Sequence, residues 1–122
     1  MKTVMIVDDQ EGIRMLLREV LQEDGLNVCE AANGEQALAT AEQAEPDLLL
    51  LDMKIPGMDG LEVLEHLRSR SFHMPVIMMT AYEELNMRER AGELGVLNYF
   101  SKPFDIEEVR REVWQQLDAG TS

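Results

Sequence analysis

Three short segments of the chain are apolar at every position: residues 4–7, 48–51 and 76–79. This is the pattern of strands whose two faces are both covered by helices. Residues 27–31 and 98–101 have mixed polarity, which suits the edge strands of the same sheet. The hydrophobic pattern therefore predicts five strands, three central and two at the edges.

Apolar side chains recur every three or four residues in the intervals between these strands, which is the period of an amphipathic helix. The predicted helices contain residues 13–21, 37–44, 61–67 and 106–117. Gly25 is the expected C-cap of the first helix, and Asp105 is the expected N-cap of the last. A further helix is predicted over residues 83–94, where the chain is mostly polar and the apolar stripe is thin.

Strands and helices that alternate along a chain predict an α/β fold. Right-handed crossovers leave few ways to wind five such strands into one sheet. We predict a single doubly wound, five-stranded parallel sheet in the order 2-1-3-4-5, with helices on both faces, which is the flavodoxin-like arrangement. We expect one domain over residues 1–118 and a short C-terminal tail over residues 119–122.

Unusual polar residues stand where the predicted strands end: Asp8, Asp9, Asp52, Thr80 and Lys102. In doubly wound sheets, ligands bind beside the carboxyl ends of the strands. Each residue also has a purely structural interpretation, in which the acids cap a helix and the lysine pairs with a surface carboxylate. The convergence of all five on one edge of the sheet favours a functional site.

Three carboxylates in one small volume repel one another, and a hard divalent cation relieves that repulsion. Mg²⁺ fits best, because it prefers few carboxylates together with waters and a phosphate, and the spacing of a calcium EF-hand is absent. Zinc lacks its usual ligands, since the chain has one cysteine and two scattered histidines. A carboxylate beside Mg²⁺ can attack phosphorus while a lysine neutralises the transferring oxygens, which makes Asp52 the expected nucleophile.

Charge and composition limit the classes of molecule that we expect the protein to bind. Eleven Lys and Arg against 24 Asp and Glu leave a formal net charge of −13, which opposes binding to nucleic acid and favours cations or basic protein surfaces. The N-terminus resembles neither a signal peptide nor a membrane span, so we expect a cytoplasmic protein with no membrane partner. Cys29 is alone, which excludes an internal disulfide, and we expect it to be a small buried hydrophobe.

Four separated motifs carry a family resemblance: Asp8-Asp9, Asp52-Met53-Lys54-Ile55-Pro56-Gly57-Met58-Asp59-Gly60, Thr80-Ala81 and Lys102-Pro103-Phe104. Over essentially its whole length the chain resembles bacterial two-component response-regulator receiver domains. Four runs are most similar to the stand-alone receiver of the sporulation phosphorelay: Asp8-Asp9-Gln10, Gly12-Ile13-Arg14, Ala31-Ala32-Asn33-Gly34 and Thr80-Ala81-Tyr82. Tyr99 departs from that receiver, which by resemblance has a histidine at this position.

The resemblance implies that Asp52 accepts a phosphoryl group from a phosphohistidine. The donor would be a sensor histidine kinase or a histidine phosphotransfer protein, and the signal would pass to a downstream protein target. Asp9, Asp52 and the backbone carbonyl of Lys54 would bind Mg²⁺, with Asp8 acting largely through water. The chain would thus be a signalling switch that catalyses its own phosphorylation and dephosphorylation, and not a turnover enzyme.

The resemblance also implies how phosphorylation is read out. Lys102 would hold one phosphoryl oxygen, and the Thr80 hydroxyl would move to hydrogen-bond another. Tyr99 matches the aromatic switch position, where an inward ring changes the face made by helix 4, strand 5 and helix 5. Lys54 and Tyr82 would influence the lifetime of the phosphoryl group, which we expect to be long. A cis peptide bond is expected between Lys102 and Pro103.

Partner docking in this family uses helix 1 and the loops around the site. The expected contact residues here are Ile13, Leu16, Pro103 and Phe104, although helical periodicity alone also allows Ile13 and Leu16 to be core residues. Three other functions remain open: an aspartyl phosphatase, a receiver cut from a longer DNA-binding regulator, and a receiver that binds partners without phosphorylation. The phosphatase interpretation calls for a second acid two residues after the nucleophile, where this chain has Lys54.

Overall fold

The computed structural model of the chain describes residues 1–80 and 85–119. Strands and helices alternate through these residues, as the hydrophobic pattern predicts. The elements are β1 (Thr3–Val7), α1 (Glu11–Glu23), β2 (Asn27–Ala31), α2 (Gly34–Ala44), β3 (Leu48–Asp52), α3 (Gly60–Ser69), β4 (Val76–Thr80), α4 (Leu85–Glu93), β5 (Val96–Ser101) and α5 (Ile106–Ala119). Each predicted strand and helix has a counterpart, although Glu83 and Glu84 of the predicted fourth helix lie outside the described residues. So do residues 120–122 of the predicted tail.

All five strands pair in parallel and form one sheet in the order β2-β1-β3-β4-β5. This confirms the predicted order. The central strand β3 is buried at all five of its positions, because helices cover both faces of the sheet. The topological switch point, where the strand order reverses, therefore lies between β1 and β3. The carboxyl ends of these two strands lie at the same edge of the sheet.

The sheet divides the core in two, because successive side chains of a strand point to opposite faces. Met5 and Leu49 lie on the face that packs against α2, α3 and α4. Ile6 and Leu50 lie on the other face, which packs against α1 and α5. Burial of these apolar side chains stabilises the fold and holds the strand ends in fixed positions.

The expected N-cap Asp105 is confirmed, whereas the expected C-cap Gly25 lies one residue beyond the C-cap of α1, which is Asp24. Gly25 has a φ of 87° and follows α1. The N–H groups of Gly25 and Leu26 donate to carbonyls of the last turn of that helix, as in a Schellman motif. At the start of α5, the Asp105 carboxylate accepts the N–H of Glu107 at 2.9 Å.

Two local predictions were wrong. The last strand begins at Val96, two residues earlier than the pattern indicates, because the pairing of β4 with β5 shifts register next to Val96. Leu97 falls in that irregularity and is exposed, which breaks the expected alternation. Cys29 is half-buried and not fully buried, because its strand β2 is at the edge of the sheet.

Candidate functional site

The predicted acids, hydroxyl and lysine meet at one edge of the sheet. Asp52 is the last residue of β3, and Thr80 is the last residue of β4. Asp8 and Asp9 directly follow β1, and Lys102 directly follows β5. The backbone N–H of Lys102 donates to the carbonyl of Thr80 at 2.9 Å, which anchors the loop after β5 to the neighbouring strand. The side chain of Thr80 is buried in this edge.

The Lys102 ammonium lies between two buried carboxylates. Its Nζ is 2.7 Å from Oδ2 of Asp8 and 3.0 Å from Oδ2 of Asp52. A further contact of 3.3 Å joins this Nζ to Oε1 of Gln10. Asp8 is 0% exposed and Asp52 is 4% exposed. Because charges at that depth are costly without a partner, the ammonium is what permits both carboxylates to be buried.

Burial raises the pKa of Asp52, because the loss of water penalises its charged form. The hydrogen bond from Lys102 lowers this pKa, and the negative charge of Asp8 raises it further. Burial also disfavours the charge on Lys102. The hydrogen bonds that its ammonium donates to Asp8 and Asp52 outweigh burial, so the pKa of Lys102 is raised. The lysine therefore stays charged. Even beside this ammonium, the charged form of Asp52 is less favourable than it would be in water.

The donor set at this edge fits a hard divalent cation. One carboxylate oxygen from each of Asp8, Asp9 and Asp52 lies within 4.8 Å of the others. Three carboxylates against one ammonium leave two negative charges to be neutralised, and every clustered donor is an oxygen, as Mg²⁺ prefers. Both histidines are exposed and outside the cluster. The set therefore suits Mg²⁺ and does not suit zinc.

The loop between β3 and α3 closes against Asp52. The backbone N–H of Lys54 donates to Oδ1 of Asp52 at 3.3 Å, and Lys54 is an exposed residue. Gly60 begins α3, and its N–H donates to the carbonyl of Met53 at 2.8 Å. A Cβ atom on Gly60 would lie 2.8 Å from the carbonyl oxygen of Asp52. Only glycine allows α3 to approach the nucleophile this closely.

Tyr99 lies on β5 with a half-buried ring. Its hydroxyl donates to the carbonyl oxygen of Arg88 at 2.9 Å, and Cζ of Arg88 lies 4.9 Å from the ring centroid. Both contacts tie the ring to α4, which is the helix named in the expected switch. Tyr82, which was expected to influence the phosphoryl lifetime, lies outside the described residues.

The four expected docking residues differ in exposure. Leu16 is 46% exposed on α1, and Pro103 is exposed on the loop after β5. Ile13 and Phe104 are half-buried and pack against the core between the sheet and α1 and α5. Met15, beside Leu16, is 45% exposed and was missed, because it falls outside the apolar period that identified the helix.

The peptide bond between Lys102 and Pro103 is cis, as expected.

Two residues that contact the acidic loop were not assigned to the site from the sequence. The Gln10 N–H donates to Oδ1 of Asp8 at 2.9 Å. Nη1 of Arg14 donates to the backbone carbonyl of Asp8 at 2.7 Å. Both residues belong to runs that carry the family resemblance, Asp8-Asp9-Gln10 and Gly12-Ile13-Arg14, but the sequence analysis assigned neither of them a role.

Comparison with known proteins identifies the family. The family model for the response regulator receiver domain matches residues 4–113. Sporulation initiation phosphotransferase F of Bacillus subtilis (strain 168) is 52% identical over 114 residues, which cover 93% of this chain and 92% of that protein. The alkaline phosphatase synthesis transcriptional regulatory protein PhoP of the same strain is 40% identical over 112 residues, which cover 92% of this chain but only 47% of that protein. The chain thus spans about half the length of PhoP.

The fold comparison agrees with the family model. The crystal structure of a CheY-like response regulator receiver domain protein from Methanospirillum hungatei JF-1 superimposes with a TM-score of 0.93 at 30% identity, and the match covers 98% of this chain and 95% of that one. Among the described residues, no helix is long and apolar enough to cross a membrane. The chain belongs to the response regulator receiver domain family, whose members accept phosphoryl groups in two-component and phosphorelay signalling.

Proposed function

We propose that Asp52 is the phosphorylated residue of this receiver. The observation that carries the proposal is the Lys102 ammonium, which bridges the buried carboxylates of Asp52 and Asp8 at 3.0 and 2.7 Å. The Asp52 carboxylate ends the central strand, and the Lys54 N–H orients one of its oxygens. A nucleophile held this firmly beside a cation is prepared for attack on phosphorus.

The proposed reaction moves a phosphoryl group from a histidine to this carboxylate. An Asp52 oxygen attacks the phosphorus of a phosphohistidine, a new O–P bond forms, and the N–P bond of the donor breaks. The electron pair of the broken bond remains on the donor imidazole, which takes up a proton. Lys102 releases Asp52 and holds an oxygen of the transferred group, because the phosphoryl dianion carries more charge than the carboxylate it replaces.

Asp8, Asp9, Asp52 and the backbone carbonyl of Lys54 are the groups that would hold Mg²⁺, with Asp8 acting largely through water. When bound, the ion supplies positive charge to the oxygens around the phosphorus. The two excess negative charges of the cluster and its all-oxygen donors support this assignment. Asp9 is exposed, so the cluster remains open to solvent and to an incoming phosphate on that side.

The donor we propose is a phosphohistidine on a sensor histidine kinase or on a histidine phosphotransfer protein. The apolar contact for that partner would come from the exposed side chains near the site, Leu16 and Pro103, with Ile13 and Phe104 beneath them. The likeness to sporulation initiation phosphotransferase F, which extends over nearly all of both chains, supports a role inside a phosphorelay. The excess of acidic residues makes nucleic acid an unfavourable partner.

The output we propose is a change at the face made by α4, β5 and α5, which a downstream protein target would recognise. Thr80 is buried beside the site at the end of β4. Movement of its hydroxyl toward the phosphoryl group would vacate space next to β5. The Tyr99 ring, which now bonds the Arg88 carbonyl of α4, would then exchange that contact for an inward position.

The test is the intact mass of the protein after incubation with acetyl phosphate, with and without Mg²⁺. We expect one phosphoryl adduct on the wild type, dependent on Mg²⁺, and none on Asp52→Asn. Asp59→Asn is the matched control, because it changes a carboxylate of the same loop and keeps a residue that can cap α3. An adduct on Asp52→Asn would mean that another residue is the acceptor, and no adduct on the wild type would favour a receiver that acts without phosphorylation.

A further inference from the structure

Arg14 is a largely buried arginine near the start of α1, directly behind the acidic loop. Its side chain is 17% exposed. Nη1 donates to the backbone carbonyl of Asp8 at 2.7 Å, and Nε pairs with Oε1 of Glu30 at 3.3 Å. The guanidinium therefore reaches from α1 both to the loop that carries the acids and to strand β2.

The contact with the Asp8 carbonyl constrains the peptide that joins Asp8 to Asp9. On the other side of the same residue, the Asp8 N–H donates to the carbonyl of Ala31 at 3.1 Å. Both backbone polar groups of Asp8 are thus occupied, one by β2 and one by Arg14. Because a peptide unit is planar, a fixed carbonyl fixes the direction in which the chain continues to Asp9.

Asp9 depends on this constraint more than the other two acids do. Asp8 and Asp52 are buried, so their surroundings hold their carboxylates in place. Asp9 is exposed, and the position of its carboxylate follows from the backbone that carries it. A change in the orientation of the Asp8–Asp9 peptide would therefore move Asp9 away from the other two ligands.

Glu30 holds the guanidinium of Arg14 from strand β2. Its Oε2 also pairs with Nη1 of Arg18 at 2.6 Å. Arg18 lies one turn further along α1, and its guanidinium bonds this carboxylate of Glu30. The two arginines thus share one partner, while the contact with the Asp8 carbonyl belongs to Arg14.

We propose that Arg14 is a positioning residue for metal binding, which acts by fixing the Asp8–Asp9 peptide so that Asp9 faces the other two acids. The proposal rests on the proposed function, because it assumes that these acids bind Mg²⁺. Groups that orient a metal ligand typically change metal affinity by about 10- to 100-fold when they are removed. Arg14→Ala is expected to weaken Mg²⁺ binding by about ten-fold.

The experiment is a calorimetric titration of the unphosphorylated protein with MgCl₂, with urea unfolding of each variant as a separate measure of stability. The variants are Arg14→Ala and the matched control Arg18→Ala, which loses the same charge from the same helix and the same pairing with Glu30. We expect weaker Mg²⁺ binding for Arg14→Ala and wild-type affinity for Arg18→Ala. A purely structural role would lower the urea midpoint and leave the affinity unchanged.

Each outcome has one meaning. Equal Mg²⁺ affinity in wild type and Arg14→Ala overturns the positioning role. An equal loss in Arg14→Ala and Arg18→Ala also overturns it, because the effect would then come from the pairing with Glu30 that both variants lose. The loss of a positive charge alone would strengthen the binding of a cation. A wild type that does not bind Mg²⁺ overturns the proposed metal site itself. If Arg14→Ala does not fold, Arg14→Lys decides: lysine keeps the charge but cannot hold Glu30 and the carbonyl together, so the proposal requires its affinity to fall below that of Arg18→Ala.

Discussion

Gly60→Ala tests whether the close approach of α3 to the nucleophile depends on glycine. A Cβ at this position would lie 2.8 Å from the carbonyl oxygen of Asp52, 3.0 Å from Cα of Met53 and 3.2 Å from Sδ of Met53. The first two atoms belong to the backbone at the end of the buried strand β3, so they cannot rotate away as a side chain can. The helix or the strand end must move instead.

The expected cost follows from two opposing effects. Inserting a methyl group into a well-packed site typically costs about 1–3 kcal/mol. Alanine in a helix gains about 0.5–1 kcal/mol over glycine, and less at the first position. We therefore expect Gly60→Ala to lower the free energy of unfolding by about 1–2 kcal/mol. The displacement occurs at the Asp52 carbonyl, so phosphorylation by acetyl phosphate should also become slower.

The assay is urea unfolding, and Gly12→Ala is the matched control. Gly12 lies near the start of α1, and a Cβ there would meet no atom within 4 Å. This control should be as stable as the wild type or slightly more stable, by up to about 1 kcal/mol. If Gly60→Ala unfolds at the same urea concentration as the wild type, α3 can move aside without cost and the argument from close approach is wrong.

Two further predictions concern charge. Asp9→Asn removes one of three repelling carboxylates, so the apo protein should gain up to about 1 kcal/mol in stability. The rise in melting temperature that Mg²⁺ gives the wild type should become smaller. Thermal melts measure both effects, and an apo variant less stable than the wild type would contradict the argument from repulsion. Asp24 accepts a 2.6 Å hydrogen bond from Nε of Arg110, and the bonding to Arg110 is the main reason that the pKa of Asp24 is lowered from its usual range. A carboxylate with a depressed folded-state pKa stabilises the protein above its unfolded pKa and loses this effect as pH falls through the folded value. Asp24→Asn should therefore cost stability at neutral pH and progressively less below about pH 4, as read from urea midpoints, and a pH-independent difference would refute this.

The fold could be predicted from the sequence because apolar strand segments and amphipathic helix segments alternate along the whole chain. Each assigned element limits the arrangement of the others. The four consecutive leucines of β3 are apolar on both faces, which is the pattern of a strand between two helical layers. The start of β5 was misplaced, since the register shift beside Val96 leaves Leu97 exposed. Hydrophobic alternation identifies regular strands and fails where a bulge interrupts them.

The site residues at strand ends were predictable for a topological reason. Parallel strands bring their carboxyl ends to one edge, so Asp8, Asp52, Thr80 and Lys102 had to lie near one another once the strands were assigned. Arg14 could not be found in this way. Its role depends on where a long side chain reaches, and in the sequence it is one charged residue on an amphipathic helix.

Exposure of the expected docking residues was also beyond the sequence. Ile13 and Leu16 share one apolar period, yet Leu16 is 46% exposed and Ile13 packs against the core. Periodicity identifies the apolar side of a helix. It does not show how much of that side the neighbouring elements cover. On α1 the apolar side is wider than the surface that the sheet and α5 can cover.

The central claim is that Asp52 carries the phosphoryl group. Borohydride reduces an acyl phosphate to an alcohol and so converts a phosphorylated aspartate to homoserine, which survives proteolysis and can be located by tandem mass spectrometry. After treatment with acetyl phosphate and Mg²⁺, then borohydride, we expect homoserine at position 52 and at no other aspartate. Homoserine at position 8, 9 or 59, or no homoserine in a protein that carries the adduct, would contradict the account.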